Sequence, residues 1–172
     1  LPVVYNTSGY ERTETLEALT GHVDIYLPDL KYGDEKSARA YSRAADYFKV
    51  ASRAICRMVE QVGAVAFSAD GQLLRGVLVR HLVLPGHRHE SMKLLDWLYH
   101  TFGDAVQIAL MNQYTPLYKA GAHKEINRRL TTFEYESVVD AARDLGMTQV
   151  YVQGAEAVGT EYVPDFRESL IK

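Results

Sequence analysis

Two side chains of opposite charge, Asp29 and Lys31, follow an apolar stretch within the sequence DIYLPDLKYG of residues 24–33. Residues 23–27 have the composition of a buried strand, and Pro28 lacks a backbone donor, so we expect the strand ladder to stop near it. In extended backbone, residues two apart point to the same side, which would bring the carboxylate and the ammonium together. Charged strand ends of this kind hold the sites of many α/β proteins. The alternative is an exposed loop with a surface ion pair.

Polar residues also accompany three other predicted strands. The strands are Val3–Tyr5, Gly76–Leu84 and Ala105–Met111, and their polar groups are Asn6-Thr7-Ser8, Arg80-His81 and Gln113-Tyr114, respectively. Gly76–Leu84 is nearly all apolar, which is typical of a strand covered on both faces. A buried arginine within it requires an anionic partner. If the strands are parallel, all four polar groups converge on one rim.

The rest of the chain alternates strands with helices. Helices are predicted over Thr13–Thr20, over 35–62 with a break near Ala44–Asp46, over Met92–Phe102, and after a capping box at Thr131 and Glu134. The pair Asp70-Gly71 predicts a hairpin turn. Residues Gln149–Val152 are predicted to form the last strand. Such alternation indicates parallel strands with right-handed helical crossovers. A closed eight-unit barrel needs about 250 residues. The fold is therefore either an open doubly wound sheet or part of a barrel.

Composition narrows the class of protein. The 172 residues suit one domain, and a net charge of −3 with a pI near 6.1 provides no basic field for nucleic acid. No apolar run approaches the ~18 residues of a membrane-spanning helix. The single cysteine, Cys56, allows no disulfide within the chain, so we expect a cytoplasmic protein. Because the chain opens with Leu1 in a strand, we also expect further protein upstream.

Two other groups of reactive residue types are expected to be inert. Cys56 lies beside the apolar stripe of a helix and is interpreted as a buried packing residue, because no basic partner is implied. His87 and His89 alone are a weak metal-site signal, so we interpret them as part of a solvated loop; a metal site is the alternative.

Three stretches, residues 5–11 (YNTSGYE), 24–33 and 78–86 (LVRHLVLPG), occur in an order and spacing that resemble the second half of a radical S-adenosylmethionine (SAM) enzyme related to pyruvate formate-lyase activating enzyme. The resemblance covers residues 1–152. It implies an α/β fold, the C-terminal half of a partial TIM-type barrel in which parallel strands alternate with helices. Residues 153–172 would form a C-terminal extension.

The resemblance also implies cofactors and site residues. A parent chain of this kind holds a [4Fe–4S] cluster on three closely spaced cysteines and cleaves SAM reductively to a 5′-deoxyadenosyl radical. The positions that match cofactor contacts are Asp29, Lys31, Arg80 and Tyr114, and Asn6 and Thr7 suit neutral hydrogen bonds to the ribose. Relatives often carry histidine where Gln113-Tyr114 stands here. With one cysteine, this chain is expected to hold no cluster, to have no radical activity, and to bind SAM weakly or not at all.

Partners follow from the same resemblance: a glycyl-radical enzyme or other protein substrate, and an electron donor such as flavodoxin or ferredoxin. In half a barrel the first strand is an unpaired edge, so we expect self-association across it.

Two other hypotheses about the function stay open. The chain is a cofactor-free α/β binding module, or it is a small α/β enzyme that uses Asp29, Lys31 and Arg80 on an anionic substrate.

Overall fold

Five parallel strands form the centre of the fold. The computed structural model describes residues 1–153, in which the strands are β1 (Val4–Thr7), β2 (Ile25–Pro28), β3 (Ala66–Phe67), β4 (Leu73–Leu82), β5 (Gln107–Met111) and β6 (Val150–Val152). The sheet order is β1-β2-β4-β5-β6, and every neighbouring pair along it is parallel. The short β3 pairs antiparallel with β4 across the predicted Asp70-Gly71 turn. The parallel α/β architecture predicted from the alternation is confirmed.

Five helices connect the strands. They are α1 (Thr13–Ala18), α2 (Glu35–Ser42), α3 (Tyr47–Val62), α4 (Arg88–Phe102) and α5 (Thr132–Asp144), and 3-10 turns lie at Gly103–Ala105 and Tyr118–Ala122. The predicted break between α2 and α3 is present, and Arg43 ends α2 in the left-handed region with φ 55°. The capping box is also present: Thr131 and Glu134 bond each other's backbone N–H groups at the start of α5.

The core lies between the helices and one face of the sheet. Along β4, Val77, Val79 and His81 are buried, whereas Leu78 and Arg80 between them are only half-buried. Successive side chains of a strand point to opposite faces, so the structure covers one face of β4 and leaves the other partly open. The prediction that β4 is covered on both faces is therefore wrong for the described residues. We call the half-buried side, which carries Arg80, the open face.

Strand β2 ends at Pro28, as predicted, although backbone hydrogen bonds continue for two residues beyond it. Pro28 pairs in register with Thr7 of β1, the Asp29 N–H donates to the Thr7 carbonyl at 3.0 Å, and the Leu30 N–H donates to the Arg80 carbonyl at 2.8 Å. In a parallel strand, alternate residues bond opposite neighbours, which turns the missing donor of Pro28 toward β4. Only the β2–β4 ladder is interrupted, and it resumes at a bridge between Asp29 and Arg80.

Among the strands that the structure describes, the first strand lies at the edge of the sheet, as predicted. Val3 and Val4 expose 52% and 48% of their surface there. Within residues 1–153, no helix is long and apolar enough to cross a membrane. The predicted C-terminal extension lies almost entirely outside the described residues.

Candidate ligand-binding site

Four polar side chains from three neighbouring strands meet at the carboxyl end of the sheet. Arg80 Nη2 donates to Asn6 Oδ1 at 2.8 Å and to Asp29 Oδ1 at 2.7 Å. Lys31 Nζ lies 3.6 Å from the other oxygen of the same carboxylate. We call Asn6, Asp29, Lys31 and Arg80 the strand-end cluster. It confirms the prediction that Asp29 and Lys31 lie together and that Arg80 has an anionic partner.

Strand register explains why these side chains meet. Asn6 pairs with Leu27, two residues before Asp29, and Asp29 is bridged to Arg80. Residues paired across a sheet share a face, as do residues two apart along a strand. The side chains of Asn6, Asp29 and Arg80 therefore stand side by side on the open face.

The strand-end cluster has positive charge left over to bind an anion. It contains two cations and one carboxylate, so one positive charge is uncompensated, and the Lys31 side chain is 42% exposed. Among the residues that the structure describes, no acceptor bonds Arg80 Nε, although this atom is buried. A buried donor without a partner is unusual and costly. A planar carboxylate is the kind of group that an arginine and a neighbouring lysine hold well.

Thr7 and Tyr114, two of the six predicted site residues, do not join the cluster. Thr7 is next to Asn6 in the strand, so its side chain points to the buried face, where its hydroxyl donates to Glu11 and accepts the Gly9 N–H at 3.2 Å. The Tyr114 hydroxyl donates to the Ile126 carbonyl at 3.0 Å, within the loop that follows β5. The contacts described for the two residues thus serve the protein's own loops.

The backbone of the cluster is fixed first by a close approach at Gly9. A Cβ atom on Gly9 would lie 2.2 Å from the Asp29 carbonyl oxygen, and φ of Gly9 is +78°. Both the contact and the torsion exclude a side chain. The turn after β1 can therefore lie directly against the end of β2.

A tyrosine of α3 provides the second constraint. The Tyr47 hydroxyl lies 2.9 Å from the Ser8 carbonyl oxygen and 2.8 Å from that of Asp29, and it accepts the Lys31 N–H at 3.0 Å. Its ring is buried, and burial raises the pKa of Tyr47. The hydroxyl therefore stays protonated and neutral at physiological pH and joins the turn after β1 to the residues after β2.

The third constraint is a buried carboxylate, Glu90 of α4. One of its oxygens accepts the N–H groups of Gly33 and Asp34 at 2.8 and 3.0 Å, and the other accepts the Ser37 hydroxyl at 2.7 Å and bonds His87 Nδ1 at 2.9 Å. Burial opposes ionisation of Glu90, but these hydrogen bonds outweigh it and lower its pKa to about 2. Glu90 is thus an anion that fixes the turn after Lys31.

A buried histidine holds the residue between Asp29 and Lys31. His81 Nδ1 lies 2.6 Å from the Leu30 carbonyl oxygen, and Nε2 lies 2.9 Å from Ser91 Oγ. Burial lowers the pKa of His81, so the ring is neutral. A carbonyl only accepts, so Nδ1 carries the proton and Nε2 accepts from Ser91.

The prediction of a solvated loop at His87 and His89 is wrong. His87 immediately precedes α4, and its side chain bonds Glu90 and the Tyr41 hydroxyl, the latter at 2.8 Å. The same hydroxyl donates to Glu125 at 2.7 Å, which connects α4 to the loop after β5. His89 lies within α4 and is exposed.

Sequence reasoning did not identify Tyr47 or Glu90. Their partners lie 18 and 57 residues away, respectively, so no local spacing indicates these contacts. Glu90 lies in the first turn of α4, but the sequence predicted this helix only from Met92, so Glu90 was not included in it.

No family model matches this chain. An uncharacterized protein of Methanocaldococcus jannaschii is 31% identical over 152 residues, which is 88% of this chain, and the chain spans 40% of that protein's length. A solved domain of pyruvate-formate lyase-activating enzyme from Bacteroides vulgatus superposes with a TM-score of 0.61 at 15% identity, over 88% of this chain and 80% of that one. The chain thus shares the fold of that domain, a parallel α/β sheet whose strands alternate with helices in a partial-barrel arrangement.

Proposed function

We propose that this chain is the C-terminal part of a radical SAM enzyme similar to pyruvate formate-lyase activating enzyme, and that the strand-end cluster binds SAM. The observation that carries the proposal is the convergence of Asn6, Asp29, Lys31 and Arg80 on the open face of a sheet with this fold. In barrel folds, substrates and cofactors bind at the carboxyl ends of the strands. The M. jannaschii relative is consistent with a longer parent protein, because the chain spans 40% of it.

The cluster suits the amino-acid end of SAM. Lys31, with its exposed ammonium, and Arg80, whose side chain is 30% exposed, would hold the carboxylate of SAM. The Asp29 carboxylate would accept from the SAM amino group. Asn6 already accepts from Arg80 through its carbonyl oxygen, so its amide group would donate to a ribose hydroxyl. Thr7 would support this arrangement through Gly9 instead of contacting the cofactor.

The residues of this chain do not suit the iron–sulfur cluster. Such clusters require several cysteine thiolates, and the sequence contains only Cys56, which lies on α3. In the proposal, the cluster ligands belong to another part of the parent protein. The cluster, when bound, supplies the electron that cleaves SAM. The residues described here bind and orient SAM. The proposal extends to a glycyl-radical enzyme as the protein substrate and a flavodoxin or ferredoxin as the electron donor.

Anaerobic reconstitution of the full-length protein tests the proposal. We expect its low-temperature spin-resonance spectrum to show a [4Fe–4S] signal that changes when SAM is added. Lys31→Met and Asp29→Asn should each weaken SAM binding about tenfold or more with iron content unchanged, whereas Lys36→Met, on the surface of α2, should not. A protein that binds no cluster, or a cluster whose signal ignores SAM, would rule the proposal out.

The isolated 172-residue chain provides a second test. Without the cluster, which also contacts SAM in such enzymes, we expect calorimetry to show weak SAM binding or none. Micromolar affinity in the absence of iron would contradict the division of roles proposed above.

A further inference from the structure

The carbonyl of Asp29 and the N–H of Lys31 are main-chain groups just beyond the end of β2, where the neighbouring strand β1 has also ended. Strand β1 ends at Thr7, so no strand residue of β1 remains to bond the Asp29 carbonyl. The Tyr47 hydroxyl takes this place: it lies 2.8 Å from the Asp29 carbonyl oxygen and accepts the Lys31 N–H at 3.0 Å. One side-chain oxygen thus bonds the backbone groups on both sides of Leu30.

The same hydroxyl reaches the neighbouring strand end. It lies 2.9 Å from the Ser8 carbonyl oxygen, two residues beyond Asn6, and the Ser8 and Asp29 carbonyls share its single proton. One atom of α3 therefore joins the turn after β1 to the residues after β2, in addition to the close approach at Gly9. Asn6 lies in β1 just before this turn, and Asp29 and Lys31 follow the end of β2.

The position of the hydroxyl is itself well determined. The Tyr47 ring is 3% exposed. It packs edge-on against Tyr32 at 5.3 Å between ring centroids and lies parallel to Tyr10 at 6.0 Å. Rigid support of this kind is what a binding site needs from the residues behind it.

We propose that Tyr47 is a positioning residue of the strand-end cluster: its hydroxyl holds the backbone of Ser8, Asp29 and Lys31 so that the side chains of Asn6, Asp29 and Lys31 face one ligand together. The inference rests on the proposed function for the identity of that ligand, SAM. Tyr47 itself touches none of the ligand-facing side-chain atoms in the described contacts, so it acts through the backbone. Removal of its oxygen should loosen the cluster without disturbing the packing of its ring.

Tyr47→Phe tests the inference, and Tyr135→Phe is its matched control. Tyr135 is also buried, its hydroxyl donates to the Leu110 carbonyl at 2.8 Å and accepts the Gln153 N–H at 2.9 Å, and it bridges the ends of β5 and β6. The two variants therefore lose the same atom in similar surroundings, but only one is next to the cluster. In the 172-residue chain, we expect the Lys31 amide hydrogen to exchange at least about tenfold faster in Tyr47→Phe and at the wild-type rate in Tyr135→Phe.

The second measurement is SAM affinity in the reconstituted full-length protein. We expect Tyr47→Phe to raise the Kd about 10- to 100-fold, and Tyr135→Phe to leave it unchanged at a comparable melting temperature. Wild-type rates of Lys31 exchange in Tyr47→Phe, or equal losses of affinity in both variants, would overturn the inference while leaving the proposed function intact. A wild-type protein that binds no SAM would overturn the proposed function. The Lys31 amide exchange rates in the two variants would then be the remaining test of whether Tyr47 positions the cluster.

Discussion

Asp29 and Arg80 are joined twice, by a backbone bridge between β2 and β4 and by an ion pair of 2.7 Å between their side chains. The bridge places both residues opposite each other on the open face. The backbone pairing therefore brings the two charged groups close together. The side chains are 21% and 30% exposed, which makes this pair less solvated than a typical surface ion pair. The pair is therefore part of the fold as well as of the candidate site.

Arg80→Met should destabilise the protein measurably. It removes the hydrogen bonds to Asp29 and Asn6 and leaves the Asp29 carboxylate with Lys31 alone, at 3.6 Å. We expect a loss of about 2 kcal/mol in the free energy of unfolding, measured with urea. The control is Arg143→Met, whose ion pair with Asp140 is 62% exposed on both sides, and it should cost less than about 0.5 kcal/mol. Equal losses in the two variants would show that the Asp29–Arg80 pair does not contribute to stability.

Gly9→Ala should damage the strand ends specifically. The new Cβ would lie 2.2 Å from the Asp29 carbonyl oxygen, whereas at Gly21, with nearly the same φ of +79°, a Cβ would meet no atom within 4 Å. Gly21→Ala therefore measures the cost of the torsion alone, about 1 kcal/mol. We expect Gly9→Ala to exceed it by about 1–3 kcal/mol in urea unfolding, because backbone atoms must move apart. Similar costs at both positions would disprove the close approach.

Glu90→Gln should destabilise the protein in a pH-dependent way. The pKa of Glu90 is lowered to about 2 in the folded protein, from an ordinary value of 4.5, so its stabilising effect is complete above about pH 4.5 and is lost as the pH falls toward 2. A shift of this size corresponds to about 3 kcal/mol at pH 7. We expect wild type and variant to differ most at neutral pH and to converge between pH 4.5 and 2.

Glu136→Gln, at an exposed position of α5, is the control for Glu90. It removes the same charge without removing a buried hydrogen-bond network, so its unfolding curves should follow wild type at every pH. A difference between Glu90→Gln and wild type that stays constant from pH 7 to pH 2 would contradict the role of an ionised Glu90.

The edge strand should cause self-association of the 172-residue chain. Val4 of β1 and the preceding Val3 are about half exposed, and β1 has a neighbour on one side only within the described sheet. An unprotected apolar edge tends to pair with another copy, and a lysine within it prevents this. We expect sedimentation velocity to show concentration-dependent association, reduced by Val4→Lys but not by Leu117→Lys in the loop after β5. A clean monomer at all concentrations would refute this prediction.

Local patterns were sufficient for the order of elements and for the nearest contacts of the site. The period of apolar residues predicted the strand–helix alternation, because it records which side of each element is buried. The spacing of Asp29 and Lys31 placed them together, because alternation along extended backbone is a local property. The capping box of Thr131 and Glu134 was predictable for the same reason, since its two residues lie within one helical turn.

Tertiary structure decided which side chains share the site and what holds them. Sequence alone did not show that Asn6 points to the open face and Thr7 to the buried face, because this depends on which face the helices cover. It did not show that backbone hydrogen bonds continue for two residues past Pro28, because this depends on which neighbour the missing donor would face. Tyr47 and Glu90 hold backbone groups that are distant in the chain, and such contacts exist only once the helices have packed on the sheet.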